Sequence, residues 1–407
     1  MAELQGDKTQ ESSQGNSNSA HDTLRCSRCM LPASLPSVRL GPDGVCNHCK
    51  TYDAWLAEFR ATESERRVEF ERLLARAKRL KQPYDVLIPL SGGKDSTYAL
   101  YLCSKVYHLK CLCVTFDNGY LSEFGKANIE AALKASGADH IVYRIDRDLL
   151  LRVYRLFLRK CGNFCAPCNR AIEVTMRMAS RAFSVPLIVC GHGAKPHMLS
   201  DGLMPELQQG GDVDFVRNVL KGEPLEAEAA VLLSHPSAST RLDRVANAIA
   251  RILPFSGLRR VFWAFHARFR NLLSWLRIEK HVTPHYVNYQ DYLDIAASAM
   301  REILESEMGW RAPVDKFDHV DCLIEPVKVY IQTLRFPELS RETVRNSGRV
   351  RSGQMKKAEA LAVDSGCLGD AWVPGALEAL LRDTGMTEEE FQAVVRDWRA
   401  MERFRVG

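Results

Sequence analysis

Residues 85–96 constrain the fold more than any other stretch of this chain. They read Asp-Val-Leu-Ile-Pro-Leu-Ser-Gly-Gly-Lys-Asp-Ser: an apolar run, Val86 to Leu90, then a polar glycine turn, Ser91 to Ser96. A helix-like run, Tyr98 to Val106, follows. Strand, glycine turn and helix start together make a backbone site for an anion. Gly92 and Gly93 let the chain curl around a phosphate. The first N–H groups of the helix then point at it, with the favourable end of the helix dipole. Lys94 adds a point charge, and Ser91 and Ser96 add hydroxyl donors. Asp95 is placed to cap the helix or to help hold Mg²⁺. The spacing is not that of the Walker A loop, which needs G-x-x-x-x-G-K-[ST].

The runs that follow predict the rest of the sheet. Cys111 to Phe116 form a second apolar run ending in Asp117-Asn118-Gly119. A helical run to Ser136 leads to a third predicted strand, His140 to Ile145. A later one, Pro186 to Cys190, ends at Gly191-His192-Gly193. Strands alternating with helices predict an α/β fold with a doubly wound parallel sheet. Ligands of such sheets bind beyond the carboxyl ends of the strands. The loop at 91–96, Asp117 and Gly191 are therefore predicted to share one crevice.

Cysteine placement is the second strong signal. The chain has 407 residues and 13 cysteines. It opens on no secretory apolar region and contains no uninterrupted apolar span long enough to cross a membrane. A reducing cytoplasm follows as the expectation, with clustered cysteines binding metal. The net charge of +5 is mild for this length and selects no partner by itself. Cys26-Ser-Arg-Cys29 and Cys46-Asn-His-Cys49 stand 16 residues apart, the spacing of a zinc ribbon, with Gly41, Asp43 and Gly44 supplying the turn. Four thiolates leave no open position on the ion, so a structural zinc is expected, with His48 outside the ligand set. A second group, Cys161-Gly-Asn-Phe-Cys165-Ala-Pro-Cys168, has three readings. It is a second zinc or Fe–S cluster completed by Cys190 or Cys322, a sulfur-carrying nucleophile, or a set of buried hydrophobes.

The remaining boundaries follow from composition. Residues 1–22 are polar and carry one Leu, so they are read as a disordered tail. The ribbon takes 23–52, a connecting helix 53–82, and the core built on the glycine loop 83–200. A helical insert takes 201–285, the remainder of the catalytic domain 286–365, and a helical cap 366–407. Within the insert, 245–278 alternates arginines with Phe, Trp, Leu and Ile. It reads first as a helical subdomain with solvated arginines. The sharper readings are a platform for a diphosphate, a docking face or a membrane-surface helix. Tyr286, Tyr289 and Tyr292, with Asp291 and Asp294, have the aromatic and carboxylate character of a sugar site, or of an interface. Arg351 is positioned in sequence to reach an anionic substrate.

Ser-Gly-Gly-Lys-Asp-Ser after a strand resembles the PP-loop of the ATP pyrophosphatase superfamily, whose members split ATP between its α- and β-phosphates. Several further stretches resemble one branch, the N-acetyl sugar amidotransferases of bacterial surface-polysaccharide and flagellin-sugar biosynthesis. They are Cys26-Ser-Arg-Cys-Met-Leu-Pro, Asp43-Gly-Val-Cys-Asn-His-Cys49, Cys165-Ala-Pro-Cys168, Gly309-Trp310, Asp321-Cys322 and Arg351-Ser-Gly353. The resemblance covers about 24–200 and 285–365. It implies Lys94, Asp95 and Ser96 as catalytic residues, and Ser91 to Ser96, Asp117 and Gly191 as the ATP site. It further implies conversion of the acetamido group of a nucleotide-linked sugar to an acetamidino group, with ATP and Mg²⁺. No glutaminase signature is present in the sequence, so ammonia is expected from a separate glutaminase subunit. The alternative is a PP-loop sulfurtransferase acting on tRNA or a small molecule through a cysteine-ligated cluster. Relatives that modify tRNA carry acids after the Gly-His of the later strand, whereas Gly191-His-Gly-Ala-Lys195 has none. No nucleic-acid partner is therefore expected. A third reading is a nucleotide-sensing or scaffold protein with a degenerate loop, against which the intact Lys94, Asp95 and Ser96 argue.

Overall fold

The computed structural model describes residues 24–191, 204, 207, 213–233, 284–312, 321–367 and 374–405. The tail at 1–22, the basic segment at 245–278 and His192 to Lys195 lie outside the described residues.

The centre is a five-stranded sheet in the order β3-β2-β1-β4-β5, with every neighbouring pair parallel. The strands are β1 (Val86–Pro89), β2 (Cys111–Phe116), β3 (Asp139–Tyr143), β4 (Leu187–Cys190) and β5 (His285–Asn288). β1 and β4 are buried along their whole length, which is why both read as continuous apolar runs. Alternate residues of β1 serve opposite faces. Val86 and Ile88 join a core with Tyr98, Ile129, Leu304 and Trp310, while Leu87 joins Met176, Ala179 and Ile188 on the other side. The first layer holds α2 (Glu63–Arg79), α3 (Lys94–Tyr101), α4 (Glu123–Ser136) and helix Ala297–Glu307. Across the sheet lies α6 (Cys165–Ala182).

The strand order reverses between β1 and β4, and Pro89 shapes that point. The N–H groups of Val86 and Leu90 donate toward β2, to Lys110 O and Val114 O. Position 89 therefore faces β4, and proline has no N–H to offer there. The β1–β4 register runs only through Val86↔Leu187 and Leu87↔Ile188. The two strands thus part at their carboxyl ends, where ligands of doubly wound sheets bind.

All four predicted strands sit where expected to within two residues, and β5 is an addition. Its four residues include two exposed ones, and Tyr286 is among them, so the apolar run that marks a strand is missing. The run read as one connecting helix is two, α1 (Asn47–Ala61) and α2. α1 starts inside the ribbon, and Thr62 closes it by bonding Glu58 O through both its N–H and its hydroxyl. Near the C-terminus, helices Pro374–Thr384 and Glu388–Val395 pack against α5 (Arg147–Cys161) through Leu380, Phe391, Val395, Tyr154 and Leu158. Among the described residues, no helix is long and apolar enough to cross a membrane.

Candidate functional site

The loop after β1 is fixed by its own hydroxyls. Ser96 Oγ donates to Gly93 O at 3.0 Å and lies 3.2 Å from Ser91 Oγ, and Ser91 Oγ accepts from Gly93 N at 3.3 Å. Gly92 has φ +81° and stands so close to α4 that an added Cβ would lie 2.2 Å from Gly125 O. Its carbonyl accepts from Trp310 Nε1 at 2.9 Å and from Asn128 Nδ2 at 3.2 Å. The turn therefore enters α3 at Lys94 in one held conformation. The N–H groups of the first turn of α3 have no acceptors within the helix and are available to an anion. Lys94 is partly exposed beside them, 3.9 Å from Asp95 Oδ1. Gly191, at the end of β4, packs on Asp95, where an added Cβ would lie 2.6 Å from the Asp95 carbonyl oxygen. The loop and Gly191 are thus neighbours.

Two further residues, neither assigned a role at the loop from the sequence, border it. Gln290 Nε2 donates to Asp95 Oδ1 at 3.0 Å and so aims that carboxylate. Asp321 comes from a segment that bridges to residues 120–122: Ser122 N donates to Asp321 O, and Leu323 N to Tyr120 O. Its Oδ2 lies 3.2 Å from where a Cβ on Gly93 would sit. Two carboxylates, Asp95 and Asp321, therefore border the anion loop. Asp117, at the end of β2, accepts from Gly119 N at 2.8 Å and pairs with Arg144 at 2.6 Å. Burial pulls its pKa up, but these donors outweigh burial and hold the carboxyl below its ordinary value.

The ribbon is the clearest metal centre. The ligand atoms of Cys26, Cys29, Cys46 and Cys49 lie within 4.8 Å of one another, and all four residues are buried. Cys26 Sγ and Cys49 Sγ are 3.9 Å apart, and Cys29 Sγ and Cys46 Sγ 3.8 Å. This donor set suits a tetrahedral zinc ion with no open position. Hydrogen bonds from Cys29, Cys46 and Cys49 hold the Cys26 thiol far below its ordinary range. His48 is buried and faces Ser37 Oγ at 3.3 Å, outside the four ligands. Cations surround the excess negative charge that four thiolates bring. Arg351 Nη2 stands 3.9 Å from Cys29 Sγ, and Lys357 Nζ donates to Cys26 O and Ser27 O at 2.8 and 2.9 Å.

The remaining predicted residues scatter. Arg351 is buried against the ribbon. Tyr289 is wholly buried, its ring tilted against that of Tyr98 with centroids 5.6 Å apart, and burial pushes its hydroxyl pKa up. Asp291 is exposed and accepts from Asn288 Nδ2 at 3.1 Å, and Tyr292 packs on Phe70 at 5.5 Å. The second cysteine group divides. Cys161 is buried among Val153, Phe157 and Phe215, with its Sγ on Phe157 O at 3.1 Å. Cys165, Cys168 and Cys322 gather elsewhere, on the core formed by Tyr120, Tyr154 and Phe164. Cys190 is buried at the end of β4. Burial pushes the Cys322 thiol up to about 12, which works against a free thiolate there.

No family model matches the chain. Over 175 residues it is 28% identical to a curated relative, "Uncharacterized protein MJ1599" of Methanocaldococcus jannaschii. The match takes 42% of this chain and spans 59% of the relative's length.

Proposed function

We propose that this chain is an ATP-dependent, AMP-forming amidotransferase that turns the acetamido group of a nucleotide-linked sugar into an acetamidino group. The observation that carries the reading is the loop Ser91–Ser96, held in place at the parted ends of β1 and β4 and opening onto the N-terminus of α3. Such a turn suits a pyrophosphate group. The sugar substrate comes from the resemblance of the ribbon, loop and C-terminal motifs to the sugar amidotransferases.

In this reading the amide oxygen attacks the α-phosphorus of ATP, and pyrophosphate leaves. An amide oxygen is a poor leaving group, whereas AMP is a good one. The α3 N–H groups and Lys94 hold the departing pyrophosphate as charge develops on it. Ammonia from a partner glutaminase adds to the activated carbon, AMP departs with the former amide oxygen, and loss of a proton leaves the amidine. Asp95 and Asp321 are the carboxylates positioned to hold Mg²⁺, which would neutralise the phosphate charge.

Purified protein given ATP, Mg²⁺, ammonium and a panel of UDP-linked acetamido sugars should release AMP and pyrophosphate. It should also yield a sugar slightly lighter, as NH replaces oxygen, seen by mass spectrometry. Lys94→Ala should lower the rate by about 10²- to 10³-fold. ADP as the product, or no nucleotide cleavage with any sugar, would sink the proposal. A second reading, sulfur transfer, draws on the position of Cys168 and Cys322 beside Asn118 at the end of β2. A heavier product with sulfide in place of ammonium would select it.

A further inference from the structure

We infer that Asp383, on helix Pro374–Thr384, is a positioning residue for the anion site, where it sets the Asp321 carboxylate beside the glycine loop. The inference rests on the proposed reading in which Asp95 and Asp321 hold Mg²⁺ at that loop, and it adds a residue from a distant helix. The first link is the turn that ends β2. Asp383 Oδ2 accepts from the Tyr120 hydroxyl at 2.9 Å and from Arg147 Nη2 at 2.7 Å. Arg147, the first residue of α5, donates through Nη1 to Asn118 O at 3.2 Å and lies over the Tyr120 ring, 4.8 Å from its centroid. Its guanidinium fills the place of a side chain at 119. An added Cβ on Gly119, whose φ is +80°, would lie 1.8 Å from Arg147 Nη1. Tyr120 is itself buried, so its hydroxyl depends on that carboxylate. One acid, 263 positions away, thereby fixes both the Tyr120 ring and the cation over Gly119.

The second link runs from that turn to the loop. Tyr120 O accepts from Leu323 N at 2.8 Å, Leu121 bridges to Cys322, and Ser122 N donates to Asp321 O at 2.9 Å. Residues 120–122 and 321–323 are therefore paired along the backbone. A displacement of Tyr120 passes to the strand-like segment that carries Asp321, whose carboxylate borders Gly93.

Magnitudes favour a geometric role for this acid. The Arg147 side chain is 45% exposed, and an ion pair so open to water adds little to stability. What the pair does is hold a place. Loss of an outer partner that orients a metal-holding group typically weakens metal binding by about 10- to 100-fold.

The test uses the full chain, with ATP binding followed by calorimetry over a series of Mg²⁺ concentrations and folding followed by urea denaturation. Asp383→Ala should raise the half-saturating Mg²⁺ concentration about tenfold or more. It should leave ATP affinity without Mg²⁺ unchanged, because the α3 N–H groups and Lys94 do not depend on Asp321. Asp383→Glu, which keeps the charge, should restore most of the Mg²⁺ dependence. Beside Asp321→Asn, Asp383→Ala should add no further shift, since both act on one carboxylate. Should the alanine variant not fold, Asp383→Asn keeps an acceptor for Tyr120 and should shift the Mg²⁺ dependence in the same direction by less. An equal loss of ATP affinity with and without Mg²⁺, a full shift that persists beside Asp321→Asn, or no shift in a folded variant would each overturn the inference. A wild type that binds no ATP at any Mg²⁺ concentration would remove the nucleotide reading itself, and this inference with it.

Discussion

At Gly92 the demands of conformation and of space fall on one residue. Its φ of +81° is costly for any side chain, and an added Cβ would lie 2.2 Å from a backbone oxygen of α4 that cannot swing aside. Gly92→Ala should therefore cost about 1–3 kcal/mol of stability, because the loop must shift off α4 to make room. That shift also moves Gly93 and the start of α3, so affinity for ATP, the ligand proposed for this loop, should fall by more than the stability loss alone explains. Urea denaturation and calorimetric titration with ATP measure the two effects. An alanine variant with wild-type binding would show that the loop need not be held to receive phosphate.

At the scale of elements, α4 links the loop to the Asp321 segment. Ser122 caps α4 by accepting from Gly125 N at 2.9 Å, and its own N–H holds Asp321 O. Ser122→Ala should cost about 1 kcal/mol as the cap is lost, read as a lower urea midpoint at unchanged slope. No change would mean that water replaces the cap without loss. The elements also show what the sequence could reveal. β1, β2 and β4 were legible because each is an apolar run that stops at a glycine or an Asp-Asn-Gly turn. The ribbon was legible because two short cysteine knuckles need only spacing to declare themselves. β5 was not, since a four-residue strand with two exposed residues and two buried ones carries no periodic signal. Gln290 and Asp321 were not placed at the loop either. Gln290 meets Asp95 across 195 positions of chain, and that meeting exists only once β5 has joined β4. Cys161 shows the converse. Sequence proximity grouped it with Cys165 and Cys168, but it ends α5 with its sulfur turned into that helix's own apolar face.

At the scale of the whole molecule, the ribbon is tied to the far end of the chain. Its cysteines share a core with Phe336 and Leu339, Arg25 pairs with Asp364 at 3.2 Å, and Lys357 holds two ribbon carbonyls. Removing the ribbon's metal should therefore loosen residues 343–364 as well as the ribbon. Hydrogen exchange followed by mass spectrometry, with and without a zinc chelator, reads this directly. Exchange should rise in both segments and stay unchanged in β1 and β2. A rise confined to 24–60 would show the ribbon to be an independent module.

That tie sets an order of events during synthesis. Cys26 and Lys357 are separated by 331 positions, so the knuckles leave the ribosome long before the lysine that braces them is made. N-terminal units of a nascent chain fold first. Until that lysine emerges, an ion held by the four cysteines would supply the main closure of the ribbon, so a shortage of that ion would leave the knuckles open while the sheet was still being made.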